Sequence, residues 1–405
     1  MEMSFKIGTS SQNQLAGSLC ISVPHVTPKC NNLKILELFN QHKDLLGLPV
    51  LESKHPIGMI NRHFFLSQMT RPFFRELYDH KSCIAFMDKE PLVIDVNSTL
   101  DYLAEQVVAT GDKAITEGFI FTSGGYFMGI GLGIDLIKTV SDLHVQQHKQ
   151  IMQSIEYARV IQDSMLENSS RAIKQQFDDW CLIWQPRDTV GGDFYAFQRY
   201  ASGWLAVIAD CTGHGVPGAF MTVIFSSALE KALTLVAPDQ PDRLLQILNQ
   251  HIKQTLYQLQ RSHNNNLSND GCDAIALYAD TAQHRLVWAN ANMSAFLLPV
   301  QGTASLLAKD RTGIGYVETP SDFHWSRHEY QLKTGDKLLV VTDGVTDQIG
   351  GHNRIMFGKK RIQTLLEQHR HQPMSALSDA LQTELRVWQD KQNLRDDMTW
   401  FGFTW

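Results

Sequence analysis

Paired cysteines are missing from this chain. None of its six cysteines (Cys20, Cys30, Cys83, Cys181, Cys211, Cys272) stands in a Cys-x-x-Cys pair or at zinc-finger spacing. A structural zinc site of that kind is excluded, and over 405 residues such thiols read as reduced and mostly buried. Excess basic charge is missing too. The net charge of −6 argues against a nucleic-acid binder. No Walker loop is present to cradle ATP. Met1 to Ser18 is polar and lacks the basic-then-apolar order of a signal peptide, so a cytoplasmic protein is expected. One stretch, Gly118–Ile137, is about long enough to cross a bilayer. Thr122-Ser123-Gly124-Gly125 interrupts it and Asp135 would carry charge into lipid. Two strands around a Gly-Gly turn, then a helix, are expected instead of a span.

What remains is ordinary globular material, 43% hydrophobic and 19% charged, with length for two or three domains. After a tail over 1–20, residues 21–142 read as two copies of one unit. The first has a helix at Leu33–His42, a buried strand at Gly47–Leu51 and a second strand at Pro56–Arg62. The second has a strand at Leu92–Asp95, a helix at Thr99–Val108, and strands at Phe119–Thr122 and Tyr126–Ile130. Over 143–178 the composition turns to Gln, His, Lys, Glu and Arg without Pro or Gly. Ile151, Ile155, Ala158, Ile161 and Met165 recur there at steps of three and four, one face of a helix. That linker is either a short dimer seam or a connector packed on its own domain. From 179 to 405 strands are expected at Trp204–Ala209, Ala274–Tyr278, Arg285–Ala289 and Lys337–Val341. Helices are expected at Gly218–Val236, Pro241–Leu259, Lys359–His369 and Ser375–Trp388, and a polar loop at 261–271. Strands and helices grouped in this way predict a layered α+β fold.

The tandem at 21–142 resembles a pair of CBS domains, carried by Leu48-Pro49-Val50-Leu51 followed by Gly58-Met59-Ile60-Asn61-Arg62. Such pairs commonly bind an adenine nucleotide through a Thr three residues before an Asp at the start of the last helix. Here Asp135 is preceded by Leu132, and Asn61 is followed by Phe64. These departures favour a pair that dimerises or docks a partner over one that binds adenine nucleotide.

Five aspartates carry the chemistry. Asp193 stands in Gly191-Gly192-Asp193-Phe194-Tyr195, Asp210 in Ala209-Asp210-Cys211-Thr212-Gly213-His214-Gly215, Asp343 in Thr342-Asp343-Gly344, and Asp396-Asp397 before Met398-Thr399. An apolar run ending in Asp is how a strand delivers a carboxylate to a loop end. Clustered carboxylates suit Mg²⁺ or Mn²⁺, hard cations that prefer oxygen and keep several waters. These motifs, in this order over Cys181–Trp405, resemble the bacterial PPM/PP2C phosphatases of the SpoIIE/RsbU type. Asn269–Asp273 and Asp347-Gln348-x-Gly350-Gly351 further resemble its Sia-like branch.

The resemblance implies a sandwich of two antiparallel sheets with helices outside and two Mg²⁺ or Mn²⁺ ions at one edge. Asp193 and Asp210 match carboxylates at both metals, Cys211 would offer its backbone carbonyl, and Asp343 and Asp396 match ligands of one metal. Asp397 would support Asp396 or a metal-bound water, with Gly213 and Gly344 shaping the turns. A hydroxide activated between the metals would hydrolyse phosphoserine or phosphothreonine in a small regulatory protein, a STAS-type anti-sigma antagonist or similar. His214 has two readings, general acid to the leaving oxygen or holder of its turn. Arg187 has two as well, phosphate ligand or surface arginine. The competing functions are a phosphatase-fold scaffold without metals and a nucleotide-sensing module.

Overall fold

The computed structural model describes residues 14–256 and 269–405, in two compact units that divide between Ile151 and Met152. Most of the 1–20 tail, most of the loop at 261–271 and the end of the helix expected to Leu259 lie outside the described residues.

The first unit holds α1 (Asn32–Gln41), β1 (Gly47–Glu52), β2 (His55–Asn61), α2 (Arg62–Met69) and α3 (Phe74–Tyr78). Then come β3 (Val93–Asp95), α4 (Leu100–Thr110), α5 (Asp112–Glu117), β4 (Phe119–Ser123) and β5 (Tyr126–Gly131), and α6 (Gly133–Gln176) begins. β1 and β2 are antiparallel, while β3 runs parallel to β4 and β4 antiparallel to β5. A parallel bridge from Val26 to Val50 gives the first half its counterpart of β3. Asn31, Asn61 and Thr99 cap α1, α2 and α4 by accepting backbone N–H groups. Asn61 is therefore a helix cap, its Oδ1 2.9 Å from the Phe64 nitrogen. Gly124 and Gly125, at φ +55° and +85°, make the two-residue turn that joins β4 and β5. The apolar stretch at 118–137 is thus two strands and a helix start.

In the second unit β6 (Trp180–Gln185), β7 (Asp193–Tyr200), β8 (Gly203–Cys211), α7 (Gly215–Leu233), α8 (Pro241–Thr255) and β9 (Cys272–Asp280) lead into β10 (Arg285–Ala291). β11 (Ser294–Leu298), β12 (Ser305–Leu306), β13 (His328–Gln331), β14 (Lys337–Val341), α9 (Asp343–Thr346), β15 (Ile349–Gly350) and β16 (Ile355–Met356) follow. α10 (Lys359–Gln368), α11 (Met374–Gln389) and β17 (Met398–Thr404) close the chain. Two five-stranded sheets result, ordered β13-β10-β9-β8-β7 and β12-β11-β14-β17-β6, and every pairing in them is antiparallel. Residues of α7 and α8 share a core with the first sheet, and α10 and α11 share one with the second. Phe177 stacks on Phe403 at 4.8 Å and Trp204 meets Phe403 edge-on at 5.1 Å. All three are buried, each contributing about 1.5–3 kcal/mol of apolar burial.

α6 starts ten residues before the linker expected at 143. Its buried positions in the second unit are Gln162, Leu166, Ser169 and Ile173, spaced four, three and four, the stripe of a docked helix. The apolar face expected to matter is a neighbouring one. Ile161 stays exposed there, and Ile155, Ala158 and Met165 are half-buried. Among the described residues α7 is the one helix long and apolar enough to cross a membrane. Its Met221, Phe225 and Leu229 are instead buried in the core of this unit.

Candidate metal centre

Antiparallel register puts three aspartates in a row. Asp193 on β7 faces Asp210 on β8, and Asp210 in turn faces Asp273 on β9. The second sheet supplies the opposing wall, because β14 ends at Val341 beside the start of β17. The Thr342 hydroxyl donates to Asp193 Oδ2 at 2.9 Å, and the Asp343 N–H donates to Asp210 Oδ2 at 3.1 Å. Asp193, Asp210 and Asp343 are therefore brought together from residues 150 positions apart.

Burial decides their electrostatics. Asp193 is buried and Asp210 half-buried. Desolvation, the charges of Asp397 and Asp343, and opposing hydrogen bonds from Thr399 and Thr342 leave Asp193 far above the usual carboxylate range. Asp210 is raised in the same way, by burial first and then by Asp193, Asp343 and Asp273. Asp343 is pushed up to about 6, by desolvation and then by Asp396. A row of carboxylates that resist ionisation together is a site lacking positive charge.

Asp396 is half-buried, and its Oδ1 accepts the Asp397 N–H at 2.9 Å. Asp397 does something else. It is buried, and its two oxygens accept the Arg187 and Gly192 N–H groups, each at 2.6 Å. That clamp fixes the loop carrying Gly191-Gly192-Asp193. Gly344 lets the turn after β14 approach this segment, since a Cβ there would lie 2.0 Å from the Asp397 carbonyl oxygen. Gly213, at φ +83°, provides the left-handed bend before α7 that other residues adopt only with strain.

The Cys211 thiol is buried, its Sγ 2.8 Å from that of Cys272. Burial, then the neighbouring thiol, pushes it up, so its side chain is turned to Cys272 and not to the carboxylates' chemistry. His214 precedes α7, and its Nδ1 lies 2.7 Å from Asp188 Oδ2, both side chains exposed. Arg187 is exposed, its guanidinium donating to the Arg395 carbonyl at 3.1 Å. Cys181 and Arg187 stand at the Cys-x5-Arg spacing of a cysteine phosphatase loop. β6 occupies that stretch, and burial pushes the Cys181 thiol up to about 12, so it is no nucleophile.

Among the described residues no three His, Cys, Asp or Glu side chains gather closely enough to hold an ion unaided. The donors present are hard oxygens, and those of Asp193, Asp210 and Asp396 are bonded also to a hydroxyl or N–H. They fit a cation that keeps much of its water and takes one or two carboxylates, as Mg²⁺ does, and do not fit a closed protein cage. Asp273 was not among the residues expected at this site. Its signal was the Asn-Asp-Gly-Cys-Asp motif, which only strand register turns into a third carboxylate beside Asp210.

The profile of the family Stage II sporulation protein E (SpoIIE) matches residues 201–405. The SiaA-PP2C domain of Pseudomonas aeruginosa is similar in structure, with a TM-score of 0.57 and 29% identity over 64% of this chain and 98% of that one. The RsbU and RsbW domains of a Mycobacterium tuberculosis protein match at TM-score 0.45 and 18% identity, covering 56% and 59% of the two chains. The phosphatase domain of Bacillus subtilis SpoIIE, with a fragment of its regulatory domain, matches at 0.44 and 17%, covering 56% and 63%. No curated protein sequence matches the chain. With just over half of its length under the family profile, this chain belongs to the SpoIIE family of PPM-type serine/threonine protein phosphatases.

Proposed function

We propose that the second unit hydrolyses phosphoserine or phosphothreonine in a small regulatory protein, a STAS-type anti-sigma antagonist or a similar partner-switching component. The observation that carries this reading is the contact between sheets at Asp193, Asp210 and Asp343. Asp193, Asp210, Asp343, Asp396 and the Cys211 carbonyl would hold Mg²⁺ or Mn²⁺. When bound, such ions offset the carboxylates' charge toward a phosphate dianion and acidify water. The chain's own part is to hold Asp193 and Asp210 in place through the Thr342 hydroxyl and the Asp343 N–H, and to fix the Gly191–Asp193 loop through Asp397. His214 fits the turn-holding role best, since its Nδ1 is engaged by Asp188 at the start of α7.

The first unit we read as a CBS-like pair, from its repeated order of helix and strands and its parallel bridge at Val26. Asn61 is committed to capping α2, which favours docking or dimerisation over nucleotide binding. A homodimer seam along α6 is supported by apolar side chains left exposed there, Tyr157, Val160 and Ile161, the last of which lines a groove with Phe220 and Val223 of α7. Ile155→Glu would bury an unpaired charge in that seam, at a cost of several kcal/mol. Light scattering should then report a shift from dimer toward monomer, with a changed turnover in the same samples. The protein is expected to act in the cytoplasm. Phosphoproteomic comparison of a deletion strain with wild type identifies the substrate. A phosphoserine that accumulates on one small protein, and falls when purified enzyme is added, supports the reading, and no such site refutes it.

A further inference from the structure

Lys309 follows β12 and is pinned to the end of β10 from several directions. Its Nζ donates to the Asn292 carbonyl and, at 2.8 Å, to Asn292 Oδ1. The adjoining backbone is laced to the same place, with Asn292 N–H bonded to the Asp310 carbonyl at 2.8 Å and Asp310 N–H to that of Asn290 at 2.9 Å. Asn292 is held in the left-handed region at φ +69°, a conformation a non-glycine residue keeps only when its surroundings enforce it. From there its Nδ2 donates to Asp273 Oδ2 at 2.7 Å, and Asp273 is the register partner of Asp210. A rigid relay thus sets Lys309 at the rim of the acid row.

The charge around Lys309 is the second observation. It is half-buried, and desolvation holds its ammonium below the usual lysine range, with the like charge of Lys359 next in effect and that of Arg311 adding to it. Asp273 pulls the other way. None of these three cations forms an ion pair with a carboxylate among the described residues. Two further positive side chains crowded beside a desolvated amine whose own backbone is braced in place are costly unless an anion completes them. The anion at hand in this reaction is a phosphate dianion that must approach carboxylates.

We propose that Lys309, backed by Lys359 and Arg311, is a phosphate seat at the edge of the metal centre, contacting the substrate's phosphoryl group and, after hydrolysis, inorganic phosphate. It rests on the phosphatase reading above. The ammonium supplies a fixed charge-assisted donor to an equatorial phosphoryl oxygen, on the side of the site that Asp273 lines. Neutralising it should weaken capture of phosphate more than it affects the metals.

The test is inorganic phosphate binding to Mn²⁺-loaded protein by calorimetry, which needs no turnover, alongside product inhibition of 4-nitrophenyl phosphate hydrolysis. Lys309→Gln should weaken phosphate binding and raise the inhibition constant and KM about tenfold. The Mn²⁺ concentration for half-maximal activity should stay as in wild type, and Lys309→Arg should recover most of the loss. Unchanged phosphate binding with a shifted Mn²⁺ requirement would make Lys309 a counter-ion for Asp273 and overturn the seat. If Lys309→Gln does not fold, Lys359→Gln takes its place, with a severalfold loss of phosphate affinity expected and wild-type affinity again overturning the proposal. Wild-type protein that binds phosphate but never hydrolyses an ester would defeat the phosphatase reading alone.

Discussion

The two walls of the acid centre are built differently. The first sheet delivers Asp193, Asp210 and Asp273 from neighbouring strands in strict register, the first buried and the other two half-buried. The second delivers Asp343 and Asp396 from turns at its edge, one exposed and one half-buried. Strand-borne carboxylates create a standing field that must be neutralised, whereas turn-borne ones can adjust as a cation or substrate arrives. Asp397 belongs to neither group, being the buried tie between the walls.

The largest effects should come from removing charge on either wall. Asp210→Asn and Asp343→Asn should each lower turnover by at least about a hundredfold, the scale of losses around metal sites. Their stabilities should part company. Relief of repulsion should raise the melting temperature of metal-free protein more for Asp210→Asn than for Asp343→Asn, because only Asp210 is wedged between two facing carboxylates. Equal shifts, or near-wild-type turnover at saturating Mn²⁺ in either variant, would erase the distinction between the walls.

A smaller effect on rate but a larger one on folding is expected at the tie. Asp397→Ala strands two backbone N–H groups, those of Arg187 and Gly192, each costing about 1–3 kcal/mol when left buried and unpaired. Denaturant unfolding should detect a destabilisation of about 2–6 kcal/mol. A variant as stable as wild type would mean the clamp is not structural.

The mildest effect is on pH dependence. Asp343, pushed up to about 6 by desolvation and by Asp396, binds its proton more tightly folded than unfolded. Its contribution is therefore fully present below the unfolded carboxylate pKa of about 4 and is lost as pH rises through about 6. Asp193 and Asp210, raised for the same reason, contribute with the same sign. Metal-free protein should lose stability as pH climbs from about 4 past 6, and Mn²⁺ should abolish the slope by taking the protons' place. Melting curves in EDTA and in Mn²⁺ at a series of pH values check this. A metal-free protein that gains stability over that range would contradict the electrostatic account.

Much of the second unit was legible because local chemistry and global fold agree there. The runs Trp204–Ala209, Ala274–Tyr278, Arg285–Ala289 and Lys337–Val341 lie within β8, β9, β10 and β14. Two of them lead straight into Asp210 and Asp343. Gly124-Gly125 announced its own turn. Register was not legible, since pairing Asp210 with Asp273 depends on which strands become neighbours. For the same reason nothing in the sequence marked Lys309, whose importance comes from Asn292 bridging it to Asp273. The linker's periodicity was legible only in part. A second stripe winds along α6 beside the apolar one, and it docks through Leu166 and Ile173 together with Gln162 and Ser169, polar residues that a hydrophobic pattern passes over. Gln162 is buried and exchanges hydrogen bonds with Gly191, donating at 2.7 Å and accepting at 3.2 Å.

The central claim is that these aspartates work by holding divalent cations. It is tested most directly by stripping the protein with EDTA, verifying metal removal by elemental analysis, and titrating Mn²⁺ back while following phosphate release from a phosphoserine protein. The account predicts no release from stripped protein, and recovery that saturates in wild type but not in Asp343→Asn. Full turnover by verified metal-free protein would contradict it.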